Sequence, residues 1–157
     1  MGAGQSEAAE RVRELLERIA DEAHIDAEIR VTEDPDSILG EFLGGGDEIG
    51  ALIGHHGQTI DAIQHIAYRV AFRGSHARKR LVIDASGYRE RRAMALRAAG
   101  DQAAEAALRD RRAIRLDPMS ALERKVVHEH LKARRDVETY SEGEEPSRRL
   151  VVAPLVD

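Results

Sequence analysis

The sequence predicts an α+β fold: two small αβ domains joined by a long helix. Three observations carry that expectation. Helix and strand periodicities alternate up to about Ala85, an alanine- and arginine-rich helical stretch follows, and helix and strand signals return beyond it. No internal repeat or low-complexity segment interrupts the order, and the boundaries fall at residues 1–85 and 86–157.

Each element has a local reason. From Ser6 to about Ala23, SEAAERVRELLERIADEA places Val12, Leu15, Leu16 and Ile19 at helical spacing, with Ser6 as N-cap. Ala27, Ile29 and Val31 alternate with Glu28, Arg30 and Thr32, a half-buried strand. Asp34, Pro35 and Asp36 mark a turn, Ile38 to Leu43 forms a second strand, and Gly44, Gly45 and Gly46 close it. A short helix from Asp47 to Ile53, capped by Asp47, is interrupted by Gly54 and Gly57. A longer one resumes at Gln58 with Ile60, Ile63, Ala67, Val70 and Ala71 on one apolar face. Lys79 to Asp84 is the third strand.

Ser86 then opens a helix running to about Arg112, roughly 40 Å at about 1.5 Å per residue. It suits a bridge between domains, with Gly100 as its weak point. Ile114 and Leu116 suggest a brief strand. Pro118 and Ser120 start another helix, Ser120 and Glu123 having capping-box spacing. Leu122, Val126, Val127 and Leu131 account for its buried side. The ending DVETYSEGEEPSRRLVVAPL reads as two strands around a Gly- and Pro-containing turn.

Composition narrows the function. Aromatics make up 3% of the 157 residues, so the core is built from Leu, Ile, Val and Ala. Cysteine is absent, which excludes disulfides and thiolate metal sites and fits a reducing cytoplasm. No apolar run reaches the roughly 18 residues of a membrane span, and MGAGQSEAAE lacks a signal peptide's basic and apolar regions. Up to Gly50 there are 14 acidic and 4 basic residues, and beyond it 15 acidic and 20 basic, so net charges of −10 and +5 add to the overall −5. A basic portion permits a polyanionic partner, although scattered surface charge gives the same tally.

The stretch ALIGHHGQTIDAIQ carries the first candidate site. Gly54 can end the short helix in a left-handed conformation, and Gly57 can start the next without a Cβ in the way. The amides of the loop and of Gln58 and Thr59 then point outward at a helix N-terminus, an anion site. On its own the glycine pair also serves a plain corner between helices. With Gly50, and set between these elements, the stretch resembles a KH domain of the prokaryotic, type II-like arrangement. That resemblance implies that the loop Gly54, His55, His56, Gly57, with Gln58 and Thr59, grips a nucleotide backbone. It also implies an apolar groove lined by Leu52, Ile53, Ile60 and Ile63 that receives the bases. His55-His56 departs from the lysine or arginine common in such loops. Imidazole is mostly neutral at pH 7, so affinity should rise as pH falls from about 8 to 6. Zinc is the rival ligand for this pair, but adjacent histidines without a third ligand seldom form a site.

The second candidate is Arg124 with His128, four apart on one helix face and able to hold two phosphate oxygens. A solvated face is the bland alternative. DPMSALERKVVHEHL followed by VETYSEGEEPSRR resembles the domain named for an arginine and a histidine separated by three residues, R-3-H. The resemblance implies binding of single-stranded nucleic acid by Arg124 and His128, with Arg148 and Arg149 on a neighbouring strand. HEH lacks the same-face spacing of the HExxH zinc proteases. No carboxylate cluster or nucleophile–base set appears, so no catalytic residue, metal or cofactor is expected.

A KH domain followed by R-3-H resembles the Jag/KhpB-like (SpoIIIJ-associated) bacterial proteins, without the additional N-terminal domain that some members carry. That implies a non-enzymatic, cytoplasmic protein binding single-stranded RNA, or single-stranded DNA, in RNA regulation or control of the cell envelope and division. Two modules on one strand can raise avidity by roughly 10²–10⁴. Arg89, Arg91, Arg92, Arg109, Arg111 and Arg112 are candidate guides between them, unless Glu90, Glu105 and Asp110 neutralise them. The alternative is a protein-interaction scaffold, and the resemblance also implies a small single-KH partner protein.

Overall fold

The Ser6 side chain accepts from the Ala9 amide at 3.3 Å and starts helix α1, Glu7–Glu22. Ala9, Val12, Leu16 and Ala20 are its buried stripe. In this computed structural model, which describes residues 6–155, the chain divides into two compact units, Met1–Arg89 and Glu90–Asp157. The opening MGAGQ, read above for signal-peptide features, lies outside the described residues. The fold is α+β.

The first unit continues with β1 (Ala27–Glu33), β2 (Ser37–Gly44), α2 (Gly50–Ile53), α3 (Gln58–Ala71) and β3 (Arg80–Ala85). The strand order is β1-β2-β3, with β2 antiparallel to β1 and parallel to β3. Asp34 sets the β1–β2 turn by accepting from the amides of Asp36 (2.8 Å) and Ser37 (2.7 Å). Ile38, Gly40 and Phe42 are the buried side of β2. A Cβ on Gly40 would lie 2.9 Å from both Leu16 and Ile83, so α1 crosses β2 closer than any side chain at position 40 would permit. Ile60, Ile63, Ala67 and Ala71 of α3 join Leu81, Ile83 and Ala85 in the same core. Asp47 does not cap the short helix. A 3₁₀ turn over Gly46–Ile49 precedes α2, its N-cap is the left-handed Gly45, and no side chain bonds there.

Helix α4 (Tyr88–Asp110) begins later than the sequence suggests, because Ser86 and Gly87 hold φ of 47° and 70° and turn the chain first. Arg89 belongs to the first unit, donating to the Ile83 carbonyl (2.8 Å), Asp61 (2.8 Å) and Gln64 (3.0 Å). From Glu90 onward α4 is a core helix of the second unit, with Leu96, Gly100, Ala103, Ala104 and Ala107 buried. Gly100 is therefore a contact rather than a weak point: a Cβ there would meet Val127 at 2.8 Å.

The second unit adds β4 (Ile114–Arg115), α5 (Ala121–Leu131), β5 (Val137–Glu142) and β6 (Arg149–Pro154). Its sheet, ordered β4-β6-β5, is antiparallel throughout. Ser120 and Glu123 form the expected capping box. The phase it sets buries Arg124, Val127 and Leu131, and leaves Leu122 76% exposed. Leu122 lies two residues, about 200°, from Arg124 at 3.6 residues per turn. The arginine takes the inward position assigned above to the leucine.

Candidate nucleic-acid interface

In the glycine loop, Gly54 ends α2 at φ 73°, ψ −176°, and Gly57 caps α3 at φ 79°, ψ 13°. Only glycine suits the first conformation, and it is strongly preferred in the second. Both also face close neighbours. A Cβ on Gly54 would lie 2.2 Å from the Thr59 hydroxyl, and one on Gly57 2.7 Å from the Tyr88 ring. His55 and His56 occupy the bend between them, both exposed, with stacked rings 3.8 Å apart. No third metal-ligating side chain joins them among the described residues.

Two expectations for this loop are corrected. The Gly57 amide donates to the Gly54 carbonyl at 3.4 Å and the Gln58 amide to that of His55, so a 3₁₀ turn consumes donors expected to point outward. Gln58 and Thr59 are exposed at the start of α3. Leu52, Ile60 and Ile63 are at most 6% exposed and belong to the core, so of the four groove residues only Ile53 keeps appreciable surface. The aromatic side chain at the loop is Tyr88, which packs beneath Gly57; Phe42 and Phe72 are core.

In the second unit the candidate residues largely converge. A groove between α5 and the β5–β6 hairpin is lined by Ala121, Arg124, Lys125, His128, Thr139, Tyr140, Ser141, Arg148 and Leu150. Arg124 is its inner wall, 7% exposed. Its Nη1 donates to the carbonyls of Met119 (2.7 Å) and Arg148 (3.4 Å), and its Nη2 to Glu145 at 2.5 Å. His128, one turn on, is at the exposed rim, its Nδ1 hydrogen-bonded to the Thr139 hydroxyl at 2.5 Å. Arg148 donates to the Gly143 carbonyl at 2.7 Å and enters the groove from the hairpin. Exposed Lys125 forms no ion pair among the described residues.

Arg149 does not join them. Strand alternation puts it on the sheet's other face, opposite Glu142 in register. There the Arg115 guanidinium donates to Glu142 at 2.7 Å, which holds that carboxyl below its ordinary range. Along α4 and just past its end the arginines are largely neutralised: Arg92 pairs with Glu123 at 2.7 Å, and Arg109 and, beyond the helix, Arg112 share Asp110 at 3.0 and 3.6 Å.

Comparison with known proteins assigns both parts of the chain to families. Residues 9–83 fit the family described as KhpA/KhpB, KH domain, and residues 94–154 fit the R-3-H domain. The chain is a KH domain followed by an R-3-H domain. Similar proteins, each called RNA-binding protein KhpB, come from Clostridium symbiosum (36% identity over 108 residues, 69% of this chain) and Lactiplantibacillus plantarum (38% over 104, 66% of this chain). A third, from Bacillus subtilis, is 33% identical over 110 residues, 69% of this chain. The aligned parts are 49%, 32% and 53% of those relatives, so the chain matches from about a third to about a half of their length.

Lys125, Thr139 and Ser141 of the R-3-H groove were not singled out from the sequence. The signal was present for Thr139 and Ser141, which alternate on β5 and face α5 as polar residues where an apolar strand face would be expected. Lys125 follows Arg124 directly, and nothing local distinguishes it from other surface lysines.

Proposed function

We propose that the chain is a non-enzymatic protein that binds single-stranded RNA, with a KH clamp in the first unit, up to Arg89, and an R-3-H groove in the second, from Glu90 on. The observation carrying this reading is the convergence of Lys125, His128 and Arg148 with three hydroxyls in one groove that no carboxylate lines. These are donors suited to phosphate and 2′-hydroxyl oxygens. The relatives' common name, RNA-binding protein, supports the same substrate. The KH loop contributes His55 and His56 at a helix N-terminus, with Gln58 and Thr59 beside them. In the groove, His128 and Arg148 meet the backbone directly, Lys125 adds charge, and Arg124 forms the wall between them. A single-stranded RNA substrate and a chain without cysteine both suit the cytoplasm.

Few exposed aromatics are available: Tyr68 is 38% and Tyr140 45% exposed. Binding then rests on backbone charge more than on base stacking, and sequence preference is modest. The test is crosslinking of the full chain to single-stranded RNA, with mass mapping of the modified peptides. Crosslinks in Ile53–Ile60, Leu122–Leu131 and the hairpin are expected. Crosslinks confined to other surfaces would favour the scaffold reading, with a small single-KH protein as occupant. Log K should fall with log salt by about 0.7 per phosphate neutralised, and Lys125→Ala with Arg148→Ala should flatten that slope.

A further inference from the structure

Arg124 poses a problem for an RNA-binding groove. It lines the groove, yet its side chain is 9% exposed and its guanidinium already has partners. Those partners are unequal. Nη1 is held by two main-chain carbonyls, one from the segment leading into α5 and one from the hairpin, so this edge is fixed by the fold. Nη2 is held by the Glu145 carboxylate alone. Glu145 lies in the turn between β5 and β6, its side chain 56% exposed, and Arg124 is its only side-chain partner among the described residues.

We propose that Glu145 is an intramolecular stand-in for phosphate: an anion that closes the outer edge of Arg124 in the free protein and is displaced by an RNA phosphate on binding. The inference rests on the RNA-binding reading of the groove. A guanidinium this deep needs an anion, because leaving a desolvated charge unpaired is strongly unfavourable. In the free chain Glu145 supplies it. The same planar edge accepts a phosphate in equivalent geometry. The exchange preserves the charge-assisted bond to Arg124 and frees Glu145 to enter water. Lys125, His128 and Arg148 line the same groove as Arg124, so further cations stand near the phosphate that takes the carboxylate's place. The latch lowers affinity for weak anions and reserves the groove for a strand that engages several donors together.

The experiment compares the full chain with Glu145→Gln and Glu144→Gln, using a fluorescein-labelled single-stranded RNA of random sequence and fluorescence anisotropy. Both variants remove one negative charge from the same turn, but the Glu144 side chain has no partner among the described residues. If the latch is real, Glu145→Gln tightens binding by about tenfold, the equivalent of one charge-assisted bond no longer contested, while Glu144→Gln changes it by less than about threefold. Adding Arg124→Lys to Glu145→Gln abolishes the gain, because the contested edge is gone. Thermal melts establish that each variant is folded, and the Glu145/Glu144 comparison decides the matter even if Arg124→Lys is not. If the unmodified chain binds RNA and the two glutamine variants bind alike, the latch is wrong and the RNA reading stands. If neither the unmodified chain nor Glu145→Gln binds RNA, both are wrong.

Discussion

Replacing the three glycines of the KH loop region by alanine one at a time should separate backbone requirement from mere smallness. Gly50 lies at φ −57°, ψ −29° with nothing within 4 Å of an added Cβ. Alanine there restricts the unfolded chain at no structural cost, so Gly50→Ala should stabilise the KH unit by about 0.4–1 kcal/mol. Gly54 lies at φ 73°, ψ −176°, a conformation that costs any other residue about 1–3 kcal/mol. Its Cβ would stand 2.2 Å from the Thr59 hydroxyl and 2.9 Å from the Thr59 amide nitrogen. The hydroxyl can rotate, but the amide is main chain in the first turn of α3. Strain and overlap add to about 3 kcal/mol or more for Gly54→Ala. Gly57→Ala combines a left-handed conformation, about 1–2 kcal/mol, with a contact to the Tyr88 ring that a small rotation relieves, about 2–3 kcal/mol in all.

Native-state amide exchange at β2 and β3 is the suitable assay, because it reads the stability of the KH unit directly in a chain of two units. Thr59→Ala removes the 2.2 Å overlap but not the 2.9 Å approach of the Thr59 nitrogen, so it should recover part of the Gly54→Ala loss and no more. The reasoning is refuted if Gly54→Ala proves as benign as Gly50→Ala, for then the loop does not hold its positive φ in solution.

Glu33 accepts from the Ser6 amide (2.9 Å), the Ser6 hydroxyl (2.7 Å) and Lys79 (2.7 Å), and the Lys79 bond is the main cause holding its carboxyl below its ordinary range. A depressed folded pKa means the stabilisation is present above the unfolded carboxylate value, about 4.3, and is lost as pH falls through the folded one. Glu33→Gln should therefore cost about 1.5–3 kcal/mol at pH 7, the difference closing in acid, as followed by urea melts across pH. Arg124→Ala should destabilise the R-3-H unit by about 3 kcal/mol through its lost charge-assisted bonds, whereas Leu122→Ser, at a 76% exposed site, stays within about 0.5 kcal/mol; exchange at β5 and β6 reads both. His128→Gln should weaken RNA binding severalfold with little change in melting, seen by anisotropy and calorimetry together. Replacing His55 and His56 by glutamine should weaken RNA binding severalfold in the same anisotropy assay; an affinity unchanged by the double substitution overturns the role given to that pair.

Much of the fold was legible because its signals are local. Ser6, Ser120 with Glu123, and the alternation of Ala27, Ile29 and Val31 act over a few residues, and each element appears where those signals place it. The failures occur where a distant group decides. Asp47 has the chemistry of a cap, but three consecutive glycines at positive φ bring the chain in at another angle and no side-chain cap forms. Ile60 and Ile63 share one helix face, and no periodicity says whether that face meets bases or the sheet; the structure puts them in the core with Leu81 and Ile83. Arg149 follows Arg148 in sequence, yet a strand sends the two to different surroundings.

The Arg-x-x-x-His spacing acquires a physical sense from the same reasoning. Nothing in the hydropathy of ALERKVVHEHL announces a buried arginine, and pattern alone chose Leu122 for the inward position. Burial of Arg124 is tolerable only because the main chain at Met119 and Arg148 supplies two carbonyls and the hairpin supplies a carboxylate, groups from five to about two dozen residues away. The next residue on that helix face, four along, has already climbed one turn, from the wall of the groove to its rim, where His128 meets solvent and Thr139. One member of the pair thus holds the hairpin that carries Arg148, and the other meets whatever enters. A three- or four-residue offset keeps both on one face, but a two-residue offset, as between His128 and His130, turns the second side chain away: His130 bonds Asp101 at 3.0 Å on α4 instead. The spacing is therefore a requirement for joining a buried clasp to an exposed contact on a single helix, and moving either residue by two positions would separate the two roles.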